Sequence, residues 1–200
     1  MSQNISIKVE KVSIKKVKTS LFISGKFKDG KVNKSLDDLL GITLKNAFNT
    51  DSFKGDFGKK IDLYSNGKIN KFSFYGLGDK NKLDSNKLRS LAANIVRNIE
   101  MNKISSVTID SNSFGLSNSL NAQAFTEGLL LGQYKFLDYK SKKTDFYLNE
   151  VIFIGDVDLK SLSKGQVIGE SVNYARDLGN HPANFLTPTY LANEAKEISK

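Results

Sequence analysis

The 200-residue chain has no cysteine, one histidine and two prolines. Without cysteine it can build neither a disulfide framework nor a thiolate metal site, a composition compatible with a reducing compartment. A single imidazole, His181, cannot form a histidine-based triad or a multi-histidine metal cluster. Long hydrophobic runs are missing too, so no stretch approaches the roughly 20 apolar residues of a membrane-spanning helix. Near the N-terminus, lysines interleave with Ile5, Ile7, Val9, Val12, Ile14 and Val17, which breaks up any signal-peptide core. The expectation is an unprocessed cytoplasmic protein with no membrane partner.

Arginine is also scarce. Of the 30 basic residues 27 are lysines, leaving only Arg89, Arg97 and Arg176 to offer the guanidinium fork favoured for phosphate and guanine recognition. The net charge is +9, and residues 1–71 carry most of it, with 15 lysines against 7 acids giving +8. A solvated basic face with weak, salt-sensitive affinity for DNA is the expected consequence, with a nucleic-acid-binding module over residues 1–71 as the alternative.

What is present is a core-forming chain, long enough to bury about 70% of its unfolded surface. Residues 5–17 alternate apolar and polar with period two, predicting a half-buried strand. A second strand is expected at Phe22–Phe27, with Asp29-Gly30 as the tight turn of an early hairpin. Ser35 is placed to cap a helix with Leu36, Leu39, Leu40, Leu44 and Phe48 on one face. Residues 51–67 read as short strands and turns, and Ile69–Tyr75 as a strand ending in Gly76-Leu77-Gly78. Asp84 or Ser85 caps the clearest amphipathic helix, carrying Leu88, Leu91, Ala92, Ile95, Val96 and Ile99. A strand at Ile104–Ile109, a helix with Ala122, Phe125, Leu129, Gly132 and Phe136 on one face, and the strand Val151–Ile154 follow. This alternation predicts an α/β fold with three αβα layers around a mixed, mostly parallel sheet.

The chain is organised around residues 169–191. A helix with Val167, Ile168, Ser171, Val172, Ala175 and Leu178 on one face is expected to stop at Gly179, acting as a positive-φ cap, and a second helix to start at Pro188. Both prolines, Pro182 and Pro188, lie between them and exclude helix from the residues they follow, so a rigid elbow is predicted, with Thr187 or Asn184 capping the next helix.

Ala175-Arg176-Asp177-Leu178, Asn180, Pro182, Ala183, Asn184, Leu186, Thr187, Pro188 and Leu191 resemble the interdomain signature of leucyl (cytosol) aminopeptidases. Glu127-Gly128, Leu131-Gly132, Tyr134, Phe136, Tyr139 and Lys140 extend the likeness, as does Tyr75-Gly76-Leu77-Gly78. The resemblance implies a macro-domain-like N-terminal domain over residues 1–160, a linker helix and elbow over 161–187, and the start of a catalytic domain over 188–200. It further implies a hexameric exopeptidase using two divalent metals, zinc or manganese, on peptide substrates, with every catalytic and metal-binding residue downstream of Lys200. The apolar stripe of Leu191, Ala192, Ala195 and Ile198 runs uncapped to that point, as expected of a fragment.

Each candidate residue has a bland alternative. Gly76 and Gly78 suggest a dinucleotide turn, but Asn81 stands where a third glycine would, and an ordinary strand-ending turn is the simpler reading; a macro-like nucleotide pocket stays open as a second alternative. His181 reads as a turn residue. Glu127, Glu170 and Asp177 could offer oxygen ligands, yet their spacing matches no metal motif. Gly128 and Gly132 point to close helix packing. Arg176 and Asp177 are expected to brace the elbow as a charged pair, with Asn180, Pro182, Asn184 and Pro188 completing it.

Overall fold

Strand β2 (Thr19–Phe27) sits in the middle of the sheet and is buried on both faces, Leu21 and Ile23 entering one core and Phe22 the other. The protein is described from a computed structural model covering residues 5–49, 53–141 and 148–199. After β1 (Ser6–Glu10) and β2 come α1 (Lys34–Asn49), β3 (Lys60–Tyr64), β4 (Ile69–Gly78), α2 (Ser85–Met101) and β5 (Ser106–Asp110). The chain continues with α3 (Ser119–Gln133), β6 (Glu150–Ile154), α4 (Leu159–Asn180) and α5 (Pro188–Ile198).

The sheet order is β1-β6-β5-β2-β4-β3, and every pairing is parallel except β3 with β4. One face packs against α2, α3 and α4, where Leu88, Ile95, Phe125 and Phe153 are fully buried. The other packs against α1 through Leu36, Leu44, Phe72 and Phe74. The mostly parallel αβα arrangement is the one expected from the alternation of strands and helices.

Several local expectations are corrected. The N-terminal strand ends at Glu10, and Ile14–Lys16 form a turn of 3₁₀ helix. Among the described residues no early hairpin forms: β1 pairs with β6 and β2 with β4 and β5, while the turn at Asp29-Gly30 leads into α1. The antiparallel pair is formed later, by β3 and β4. Helix α1 is entered through the side-chain carbonyl of Asn33, which accepts from the Ser35 amide at 2.9 Å, and it breaks at Gly41, where φ is +51°. Leu39, expected on the buried face, is exposed. Helix α3 stops at Gln133, short of Phe136.

Helix α4 departs most. It runs through Gly179 to Asn180, and His181, with φ of −72°, is the residue that ends it. Its buried face is Leu162, Gly165, Gly169 and Asn173, not the apolar stripe; Val167 and Val172 are exposed. Close backbone approach explains the inversion. A Cβ on Gly165 would lie 2.5 Å from the Gln123 carbonyl oxygen, and one on Gly169 would lie 2.8 Å from Leu130 Cδ1. The seam buries glycine backbone where hydrophobic periodicity looks for side chains.

Candidate functional site

The elbow between α4 and α5 gathers the polar and aromatic groups of this end of the chain. Asp158 starts α4 by accepting from the Ser161 amide at 2.9 Å. One turn beyond Gly169, the buried Asn173 donates its amide to the Leu130 carbonyl at 3.0 Å, fixing α4 to α3. Asn173 carried no sequence signal beyond its place on the glycine face.

Arg176, Asp177 and Asn180 converge on one phenol, that of Tyr134, which ends α3. The guanidinium carbon of Arg176 stands 4.1 Å from the Tyr134 ring centroid, a stacking distance. The amide of Asn180 donates to the Tyr134 hydroxyl at 2.9 Å. Burial, followed by a hydrogen bond to Asp177, pushes the Tyr134 phenol above its usual range. Arg176 and Asp177 thus act through a shared aromatic partner and form no ion pair with each other among the described residues.

Beyond α4 the chain turns at Pro182, whose carbonyl accepts from the Phe185 and Leu186 amides, each at 2.9 Å. Thr187 then caps α5 by accepting from the Tyr190 amide at 3.2 Å, with Pro188 in the first turn, where its missing donor is harmless. Asn184 stays at the surface.

His181 is the centre of an aromatic latch. Its ring stacks on Phe185 at 4.3 Å between centroids and meets Phe136 edge-on at 5.1 Å, while its Nδ1 lies 2.8 Å from the Tyr139 hydroxyl. Phe185 continues the cluster to Tyr190 at 5.1 Å. Such contacts supply about 0.5–1.5 kcal/mol each beyond area burial. A second tie joins the helices, since the Tyr174 hydroxyl donates to the Glu194 carboxylate, which pushes that phenol up to about 12.

The remaining candidates lie elsewhere. Gly128 and Gly132 face α2, where added Cβ atoms would meet the Arg89 carbonyl oxygen at 2.2 Å and Ala93 Cα at 2.6 Å. Gly76 and Gly78 spend their amides on the carbonyls of Lys59 and Gly55, at 2.8 Å each, and a Cβ on Gly76 would lie 2.0 Å from the Asp56 carbonyl oxygen. Glu127 is held by Arg89 at 2.6 Å and Gln123 at 2.7 Å, and Glu170 by Gln166 at 2.9 Å. Among the described residues no three His, Cys, Asp or Glu side chains are placed to hold a metal. The two-metal centre implied by the resemblance does not fit them.

A six-stranded mixed sheet, glycine-seamed helices and a braced elbow define an α/β module with an appended helical arm. The model of the cytosol aminopeptidase family's N-terminal domain matches residues 20–143. The chain belongs to that family and contains its N-terminal domain. A probable cytosol aminopeptidase of Aquifex aeolicus (strain VF5) is 34% identical over 159 residues, covering 78% of this chain and 32% of the relative. One of Sulfurihydrogenibium sp. (strain YO3AOP1) is 31% identical over 202 residues, covering 96% and 40%. Among solved structures, a tomato leucine aminopeptidase mutant superposes with a TM-score of 0.79 at 21% identity, covering 99% of this chain and 42% of that one. The bottromycin maturation enzyme BotP in complex with Mn superposes with a TM-score of 0.68 at 23% identity, covering 90% and 36%. The chain therefore spans roughly a third to two fifths of the length of the relatives it matches.

Proposed function

We propose that residues 1–160 form the assembly and access domain of a cytoplasmic aminopeptidase, that 161–187 are its linker and elbow, and that 188–200 begin the catalytic domain. The complete protein would release N-terminal residues from peptides as a homo-oligomer of hexamer type, with two divalent metals, zinc or manganese, held entirely by the catalytic domain. The observation that carries this reading is the family match over residues 20–143, continued by relatives that align across the elbow. The elbow's bracing supports a junction role: Tyr134, Arg176, Asn180 and the His181 cluster fix the direction in which the chain leaves the α/β module.

Two measurements test it. The chain alone, supplied with manganese or zinc and a leucyl chromogenic substrate, is expected to show no turnover. A chimera in which residues 1–187 replace the equivalent segment of the Aquifex aeolicus relative is expected to assemble and cleave that substrate. Metal-dependent turnover by the isolated chain, or a soluble chimera that neither assembles nor cleaves, would overturn the assignment.

A further inference from the structure

A cavity of about 470 Å³ opens between α1 and the C-terminal end of β2, within the size range of small-molecule sites. Its apolar lining includes Leu44 and Phe48, and around these stand Lys26, Lys31, Lys34 and Lys45 against a single acid, Asp37. None of the four lysines makes an ion pair among the described residues. Lys26 is half-buried, its ammonium 5.6 Å from the Phe48 ring centroid and donating to the Phe27 and Lys28 carbonyls, at 2.6 and 3.2 Å. Burial lowers its pKa, outweighing the opposing pull of the Asp29 carboxylate, which makes no ion pair with it among the described residues. A merely solvated lysine face would leave that side chain in water.

The location is also the one that open α/β sheets use. Strand β2 lies between β4 and β5, and the chain crosses from one side to the other through α2, so the sheet's order reverses beside β2. A second cavity of about 340 Å³ adjoins the first, sharing Lys31 and Val32, and holds the Ser24 hydroxyl and the Asp110 carboxyl. These two buried groups sit 3.2 Å apart. Together the cavities offer an apolar wall, a ring of cations and a hydrogen-bonding end formed by Ser24 and Asp110.

We infer that this groove binds a small phosphorylated molecule with a flat, largely apolar body, the phosphates among Lys26, Lys31 and Lys45 and the body against Phe48. It adjoins the turn at Gly76 and Gly78, which pair with Lys26 and Phe27 across the sheet but whose amides are engaged by Lys59 and Gly55. A nucleoside diphosphate is the matching probe.

The test is calorimetric titration of the 200-residue chain with ADP in about 150 mM salt, beside titrations with inorganic phosphate and adenosine. ADP should bind with a Kd below about 1 mM, at least tenfold tighter than either fragment. Lys26→Met should weaken ADP at least tenfold. The exposed pair Lys31→Gln with Lys45→Gln should do the same, and it preserves a reading if the buried substitution compromises folding. The remote pair Lys160→Gln with Lys164→Gln, exposed on α4 across the sheet, should leave the affinity unchanged. Absence of ADP binding, equal binding of inorganic phosphate, equal loss in the remote pair, or preference for duplex DNA over ADP that tracks total charge would each overturn the assignment. Activity of a chimeric aminopeptidase is independent of every one of these results.

Discussion

The side-chain amide of Asn173 on α4 donates to the backbone carbonyl of Leu130 on α3 at 3.0 Å, in the seam that Gly165 and Gly169 also line. It is the buried polar contact that orients the arm. Removing it leaves a buried acceptor short of a partner, so Asn173→Ala should cost about 1–3 kcal/mol of unfolding free energy, read as a lower urea midpoint. Unchanged stability would show that α4 is held by the glycine contacts alone.

Two glycine substitutions should move in opposite directions. Gly128→Ala places a Cβ 2.2 Å from the Arg89 carbonyl oxygen, and the overpacking should cost about 1–3 kcal/mol despite the gain in helix propensity. Gly179 is helical with nothing within 4 Å of its added Cβ, so Gly179→Ala should stabilise by roughly 0.5–1 kcal/mol. Thermal melts of the pair decide it: a shift of the same sign in both would contradict the packing described for α3.

Acid should loosen the edge of the sheet through Asp62. Burial acts to raise its pKa, but Lys71, Ser73 and Lys60 outweigh it, and the net folded value lies below the usual 3.8. A depressed folded pKa means stability that is present above pH 3.8 and lost as pH falls through the folded value. Asp62→Asn should therefore lower the melting temperature at pH 7 and flatten its decline between about pH 4 and pH 2. A parallel decline in both proteins would exclude Asp62 as a contributor.

Helix α5 buries no residue, and Leu191 and Ile198 are exposed. Its amides should exchange fast beside protected β4 and β6, and deleting residues 186–200 should leave the melting transition of the sheet nearly unchanged while reducing self-association. Unfolding on deletion would place α5 within the core.

Helix α2 was legible because Leu88, Leu91, Ala92, Ile95, Val96 and Ile99 keep one period without interruption, and Asp84 caps it as expected, accepting from Lys87 at 2.8 Å. The elbow was legible because Pro182 and Pro188 constrain the backbone directly. Pairing partners were not: a strand buried on both faces, such as β2, carries the same local pattern whether its neighbour is antiparallel or parallel, and the Asp29-Gly30 turn fits either. The α4 seam was hidden for a different reason. Gly165 and Gly169 contribute contact through backbone, which hydrophobic periodicity does not register, so the visible stripe pointed to the wrong face. Arg176 and Asp177 were identified as bracing residues, but Tyr134, their common partner, is 42 and 43 positions away and nothing local links them.

The inverted α4 makes that helix a spacer. Its inward side is backbone pressed on α3, and its outward side carries Val167 and Val172. On the proposed reading, a catalytic domain covering those side chains would stand about one helix diameter, roughly 10 Å, from α3. Glycine sets a short distance on one side of the rod and valine a longer one on the other, so the separation of the two bodies would be written in residue size along a single helix.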